Sequence, residues 1–167
     1  ATFSVPFAAG RLEARCSNLG KGAPTAVLTT AGTAAGIRAT VESRSIRADR
    51  SDLSYIVVEV VDANGQRVPD AREELLFNVS GSGELQAVGT GDPTDISSVH
   101  TKRKVTFQGR CIAILRPSLH ASAGDSIELT VTDAGSGGLA PTTASVRLKA
   151  DDRAADSIES TGRRYDG

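Results

Sequence analysis

The clearest pattern of apolar and polar positions lies in residues 53–70, which read LSYIVVEVVDANGQRVPD. The first half is rich in β-branched and aromatic residues, which suit a pleated, half-buried surface and lose rotamer freedom in a helix. Alternation places Ile56, Val58 and Val60 on one face and Glu59 on the other. The pattern therefore predicts a central strand with one face in a core and a second, wetter face.

A turn is predicted directly after this strand, at residues 62–65 (DANG). Asn and Gly tolerate positive φ and let the chain reverse. Pro69 follows, and because proline has no backbone N–H to give to a ladder, we predict that it stands at the start of the next strand.

The same period of two recurs in shorter segments along the chain. The predicted strands are residues 11–17, 25–30, 37–42, 75–80, 84–89, 105–107, 111–115 and 127–132, with a last strand around Val146 and Leu148. Residues 111–115 are apolar on both faces, which indicates that something outside the sandwich covers one of them. No helix is predicted. Strands at regular spacing with turns between them are typical of an all-β, immunoglobulin-like β-sandwich.

The pattern divides the chain into three parts, at 1–34, 35–150 and 151–167. Residues 31–36 are small and uncharged, so the first boundary is placed there. The strands at 11–17 and 25–30, joined by a loop at 18–22, cannot bury an apolar face alone. We therefore interpret residues 1–34 as the last strands of a preceding Ig-like domain, and 151–167 as a polar tail or linker.

Charge narrows the classes of partner. The 167 residues carry 19 basic and 20 acidic side chains, so no strong field recruits nucleic acid or an acidic membrane. The basic run 102–104 (KRK) lacks interleaved aromatic residues and is predicted to be solvated. No apolar run has the length of a membrane span, and no signal peptide begins the chain. The compartment stays open, with a periplasmic or secreted parent protein favoured.

Cysteine and histidine give no metal or redox motif. Cys16 and Cys111 lie far apart in predicted strands, where we expect small buried hydrophobic side chains; a disulfide between them is the lesser alternative. His100 and His120 lie in predicted loops without ligands at metal spacing, so both are expected at the surface. No metal and no cofactor is expected.

Acidic residues give no catalytic constellation either. The DANG turn resembles the start of a calcium loop but lacks the later acidic ligands, which favours a hairpin turn. Glu73-Glu74 and Asp151-Asp152 are adjacent pairs, and neighbours on a strand point to opposite faces. Residues 90–101 form the longest segment without a period, where function is often placed. The residues indicate a binding or structural module without catalytic side chains.

The order of short motifs is more informative than any one of them. They are AD (48–49), DLSY (52–55), VEVVDANG (58–65), VP (68–69), FNVSG (77–81), GDPTD (91–95), FQGRC (107–111) and ILR (114–116). In this order, residues 47–116 resemble the bacterial Ig-like domain found toward the C-terminus of many family 2 glycoside hydrolases of the β-galactosidase-like type. Motifs VPF (5–7), GRLEA (10–14) and TTAG (29–32) resemble the closing strands of the Ig-like domain that precedes it.

The resemblance implies a non-catalytic C-terminal piece of such an enzyme, whose parent hydrolyses terminal β-galactosides. The family's two catalytic glutamates sit on an upstream barrel of about 250 residues, for which this chain has no room. The implied partners are the catalytic and neighbouring Ig-like domains of the parent, with homo-oligomerisation through the N-terminal strands as a further expectation.

Two other functions fit the same fold. A carbohydrate-binding module would use exposed aromatic residues, of which the chain offers only Tyr55, Tyr165 and four Phe. A spacer of a bacterial surface or adhesion protein needs only the sandwich itself. A free-standing enzyme is the least favoured reading.

Overall fold

The computed structural model describes residue 2 and residues 4–16, 25–135 and 137–150. These ranges contain strands and no helix, which confirms the all-β class. The predicted loop at 18–22 and the tail at 151–167 lie outside the described residues. The strands are β1 (Arg11–Arg15), β2 (Thr25–Thr29), β3 (Ala34–Val41), β4 (Ser45–Arg47), β5 (Ser54–Asp62), β6 (Glu74–Gly81), β7 (Gly83–Gly89), β8 (Arg103–Val105), β9 (Arg110–Pro117), β10 (Ser126–Asp133) and β11 (Thr142–Lys149).

Strands β3 to β11 form two sheets that enclose one core. One sheet has the order β3-β5-β9-β7, and the other has the order β4-β11-β10-β6-β8. All neighbours are antiparallel except β4, which pairs parallel with β11. The first order is that of the ABED sheet of an immunoglobulin constant-type domain, and β6, β10 and β11 occupy the CFG positions. The predicted immunoglobulin-like sandwich is confirmed.

The central strand β5 has the predicted faces. Ile56, Val58 and Val60 are fully buried, while Tyr55 on the other face is 38% exposed. The opposite sheet contributes Phe77 and other fully buried apolar side chains to the same core. The turn after β5 is also confirmed, because Gly65 donates its N–H to the carbonyl of Asp62 at 2.9 Å.

The chain crosses from one sheet to the other at residues 81–83, where a break was predicted. Gly81 has a φ of 79°, and a Cβ there would lie 2.3 Å from the carbonyl oxygen of Ser126. A side chain is therefore excluded by both backbone conformation and space. The following strand β7 lies at the edge of the four-stranded sheet.

Two local predictions are wrong. Pro69 lies in a turn closed by the N–H of Ala71, which donates to the carbonyl of Val68 at 3.1 Å, and the next strand begins only at Glu74. The polar stretch before β5 contains a short strand, β4, which carries one buried apolar residue, Ile46. Three residues with one apolar position give too short a pattern to predict a strand.

The alternation predicted for residues 105–107 is inverted. Val105 is 41% exposed, whereas Lys104 and Thr106 are buried. Thr106 is held inward because its hydroxyl donates to the carbonyl of Ala71 at 3.0 Å. The expectation that the run 102–104 is solvated is therefore wrong for Lys104.

The strands β1 and β2 form a separate two-stranded hairpin. Leu12 and Leu28 are cross-strand partners, yet they are 51% and 71% exposed. The predicted strands are thus confirmed, but the alternation of residues 11–17 predicts buried Leu12 and Ala14, and both are exposed. Gly32, just after the hairpin, donates its N–H to Oδ2 of Asp62 at 2.8 Å. The assignment of this hairpin to a preceding domain stays a prediction.

The valine pair in β5 provides a test of the register. Val58 is fully buried and its neighbour Val57 is only half-buried on the opposite face. Val58→Ala should lower the free energy of unfolding by about 1–3 kcal/mol, since it leaves a cavity, and Val57→Ala by less than about 1 kcal/mol. Urea denaturation of the two variants measures the contrast. Equal losses would contradict the assigned faces.

Val61 would be a poorer control than Val57. It lies on the same face as Val57, but it is buried and forms a bridge with Arg67. The segment around Arg67 thus lies beside Val61, at the end of the more exposed face of β5.

Candidate functional site

The loop at residues 90–101 is held by the buried ammonium group of Lys104. The side chain of Lys104 is only 3% exposed, and its Nζ lies 2.8 Å from Oδ2 of Asp95. The same Nζ donates to Oγ of Ser97 at 2.7 Å and contacts the carbonyl of Ser98 at 3.3 Å. These bonds use the donors of the ammonium group within the loop itself. Lys104 therefore acts as a structural anchor of the loop.

Asp92 and Asp95 stabilise the same loop by hydrogen bonds to its own residues. Asp92 accepts the N–H and the hydroxyl of Thr94 at 2.9 and 2.6 Å, and Asp95 accepts the N–H of Ser97 at 2.9 Å. The hydrogen bond from Lys104, followed by those from Ser97, lowers the pKa of Asp95 to about 2. The GDPTD segment is thus a chain of turns stabilised by ionised carboxylates.

A shallow depression of about 730 Å³ lies beside this loop. The ionic side chains that line it are largely paired with one another: Arg72 lies 3.6 Å from Asp92, and Arg103 lies 3.0 Å from Glu74. The depression thus combines ionic side chains that largely neutralise one another with two exposed apolar side chains, Ile96 and Val105. Its chemistry matches neither a catalytic pair nor a charged-ligand site.

The DANG turn is a hairpin turn, as predicted in preference to a calcium loop. Oδ1 of Asp62 accepts the backbone N–H groups of Asn64 and Gln66 at 2.9 Å each, and Oδ2 accepts that of Gly32. These backbone donors, Gly32 first, lower the pKa of Asp62. The carboxylate is thus satisfied by the chain itself. Among the described residues, no group of His, Cys, Asp and Glu has the arrangement of a metal site.

Two ionic clusters lie on the outer side of the four-stranded sheet. In the first, Glu59 accepts Nη2 of Arg38 at 2.7 Å and Nη2 of Arg110 at 3.0 Å, with Nε of Arg67 at 3.9 Å. Burial opposes ionisation of Glu59, but the guanidinium groups of Arg38 and Arg110 outweigh it and lower its pKa. One carboxylate thus faces three arginines.

The second cluster centres on Glu84. Arg50 binds its two carboxylate oxygens with Nη1 and Nη2 at 3.0 and 3.1 Å, and Arg116 lies 3.8 Å away. This paired geometry lowers the pKa of Glu84, with the Arg50 hydrogen bond as the largest cause. Neither cluster was foreseen from the sequence, because its members come from distant segments.

The other candidate residues remain apart. His100 and His120 are exposed, as predicted, and Nδ1 of His100 lies 3.1 Å from the carbonyl of Gln86. Glu74 pairs with Arg103, while the N–H of Glu73 donates to Oγ1 of Thr106. The two glutamates therefore have separate hydrogen-bond partners and do not act as a pair. The pair at 151–152 lies outside the described residues.

The cysteines are free, so the lesser alternative of a disulfide is not realised. Cys111 is buried, as expected, whereas Cys16, which follows the end of the largely exposed strand β1, is exposed. Burial raises the pKa of Cys111 to about 12. We expect one thiol per native chain to react with an aromatic disulfide reagent within minutes, and the second only in denaturant. A Cys16→Ser variant that still reacts rapidly would contradict this assignment.

Comparison with known proteins gives one consistent answer. Residues 37–145 match the family model "Glycoside hydrolase family 2 C-terminal domain 5". Over 112 residues the chain is 30% identical to Beta-galactosidase BoGH2A of Bacteroides ovatus. A solved family 2 glycosyl hydrolase from Bacteroides cellulosilyticus matches 87% of the chain at 32% identity and a TM-score of 0.76. A β-glycosidase from Bacteroides vulgatus matches 86% at 27% identity and a TM-score of 0.74.

The chain belongs to the glycoside hydrolase family 2 C-terminal domain 5 family. It is an accessory domain of a family 2 enzyme, as the resemblance implied. The matched segment corresponds to 13% of the curated relative and 18% of the two solved chains named above. No helix in the described part of the chain is long and apolar enough to cross a bilayer.

Proposed function

We propose that this domain is a non-catalytic accessory module of a β-galactosidase-like hydrolase, whose active site lies elsewhere in the same polypeptide. The observation that carries the proposal is the 30% identity, over 112 residues, with a relative named as a β-galactosidase. The finer part of the proposal is that the parent enzyme hydrolyses terminal β-galactosides.

The carboxylates support a non-catalytic role. A retaining glycosidase needs a general acid whose pKa is raised, about 5 Å from a second carboxylate. Each acidic side chain with a resolved shift in the described residues has a lowered pKa, held there by N–H groups, hydroxyl groups or cations. They are Asp49, Glu59, Asp62, Glu84, Asp92, Asp95, Asp125 and Asp133. These eight groups are poor proton donors near neutral pH.

The hairpin β1–β2 supports a place within a longer array of domains. Its apolar pair, Leu12 and Leu28, remains largely uncovered here. The solved relatives match a larger share of the chain than residues 37–145 alone. We infer that the hairpin completes a preceding Ig-like domain of the parent hydrolase, which covers this pair.

The substrate assignment is tested on the full-length product of the gene. It should cleave p-nitrophenyl β-galactoside with a higher kcat/KM than the corresponding β-glucuronide, β-mannoside or β-glucoside. A glucuronide or mannoside preference would reject the galactoside assignment and leave the family membership intact.

A further inference from the structure

The outer face of the four-stranded sheet carries its side chains in four rows. The strand registers place Arg38, Glu59 and Arg110 side by side in the first row. At the far end, Glu84 and Arg116 are partners in the last row. Between these two rows lie two more, in which the central strands β5 and β9 carry no charged side chain. We call this surface the outer face.

The middle of the outer face is apolar. Val57 pairs with Ile112, and Ile112 pairs in turn with Gly89 on the edge strand. In the next row Tyr55 pairs with Ile114, which pairs with Ala87. Tyr55 is 38% exposed, and Val57, Ile112 and Ile114 are half-buried, whereas Thr40, the neighbour of Val57 on β3, is polar and exposed. Directly opposed apolar pairs on one face form a continuous surface.

The charged margins of the outer face are dominated by arginine. Arg38, Arg67 and Arg110 surround Glu59, while Arg50 and Arg116 flank Glu84. Even with the exposed Glu42, which follows the end of β3, five arginines stand against three glutamates. The four strands contain no lysine. Arginine and aromatic residues are enriched in protein interfaces, and lysine is depleted there.

We propose that the outer face docks on a neighbouring domain of the same hydrolase, through a protein surface with an apolar centre and carboxylates opposite the two arginine rows. This inference rests on the proposed function, since it takes the parent polypeptide as the source of the partner. In the curated relative, the matched segment is only 13% of the chain, so most of the polypeptide is available as a tethered partner.

The size of the outer face fits this kind of partner. The projected area of the outer face is roughly 400 Å², since its four strands lie about 4.8 Å apart and its four rows are two residues apart along each strand. Contacts between domains of one chain bury about 600–1,500 Å² in total, or half of that per side. The net positive charge opposes pairing of two identical copies through this face, because arginine rows would meet arginine rows.

The test is hydroxyl-radical footprinting of the isolated chain and of the full-length hydrolase, read by mass spectrometry. Tyr55 and Ile114 should be oxidised at least fivefold more slowly in the full-length enzyme. Val105, which is 41% exposed on the other sheet, is the matched control and should change less than twofold. Equal rates for Tyr55 in the two forms would overturn the proposal.

Charge variants of the full-length enzyme give a second arm. Arg110→Glu with Arg116→Glu should restore at least half of the oxidation rate that Tyr55 has in the isolated chain. Arg147→Glu, on an exposed position of β11, should leave Tyr55 protected. If the double reversal does not fold, Arg110→Gln with Arg116→Gln serves the same purpose. Protection that survives folded double variants would contradict the charge complementarity.

Two further results separate the possible failures. An active full-length hydrolase with unprotected Tyr55 rejects the docking face alone, whereas a full-length product without glycosidase activity rejects the proposed function. Protection of Tyr55 in the isolated chain by 10 mM galactose or a β-galacto-oligosaccharide would reassign the outer face to carbohydrate and overturn the protein partner.

Discussion

Replacing Gly109 with alanine is expected to destabilise the sandwich by about 4 kcal/mol, the sum of a left-handed backbone penalty and a steric clash. Gly109 has a φ of 70°, and a Cβ there would lie 2.1 Å from the carbonyl oxygen of Val68. That oxygen belongs to backbone and cannot rotate away. Gly109 also joins three segments, since its N–H donates to the carbonyl of Ala71 and its own carbonyl accepts the N–H of Val60.

The matched control is Gly124→Ala. Gly124 also has a positive φ, of 98°, but a Cβ there would meet no atom within 4 Å. Its cost should be limited to the backbone penalty, about 1–2 kcal/mol. Urea denaturation of both variants measures the difference. If the two substitutions cost the same, the close approach of residues 68 and 109 does not constrain the fold.

Removing the buried ammonium group with Lys104→Met should lower the melting temperature by roughly 10 °C. The substitution keeps most of the side-chain volume but leaves the Asp95 carboxylate and the carbonyl of Ser98 without their cation. Lys102→Met is the control, because Lys102 is exposed two residues away. Thermal melting should show little change for this control. Similar losses for both lysines would contradict the anchoring role of Lys104.

The same pair predicts an acid dependence. The pKa of Asp95 is held at about 2, below its ordinary value of 3.8, mainly by Lys104. A lowered folded-state pKa contributes stability above the unfolded value, and that contribution is lost as the pH falls from about 4 toward 2. In Lys104→Met, carboxyl NMR should find the pKa of Asp95 shifted upward toward 3.8. An unchanged pKa would mean that Ser97 alone holds the carboxylate ionised.

The fold was predictable where alternation was long and clear. Residues 54–62 carry enough β-branched positions to define both the strand and its buried face, and Ile56 to Val60 lie as expected. Strands of three residues were not, since β4 has a single buried apolar side chain. In and beside β8 the periodicity predicted the wrong buried face. The buried residues there, Lys104 and Thr106, are polar, and their hydrogen-bond partners come from other segments of the chain.

The motifs that carried the family resemblance turn out to be structural. The VP and FQGRC segments meet, because Gly109 lies against the carbonyl of Val68. The GDPTD segment folds over Lys104. Such contacts join residues far apart in the chain, so a local sequence pattern can identify the motif but cannot predict its contacts. The ionic clusters around Glu59 and Glu84 were missed for the same reason.

The most direct test of the account compares hydrolysis of p-nitrophenyl β-galactoside by the isolated chain and by the full-length enzyme at equal molar concentration. We predict turnover by the full-length enzyme and none above buffer background by residues 1–167. Turnover that co-purifies with the isolated chain and is lost when one of its own carboxylates is replaced by an amide, as in Glu73→Gln or Glu74→Gln, would contradict it.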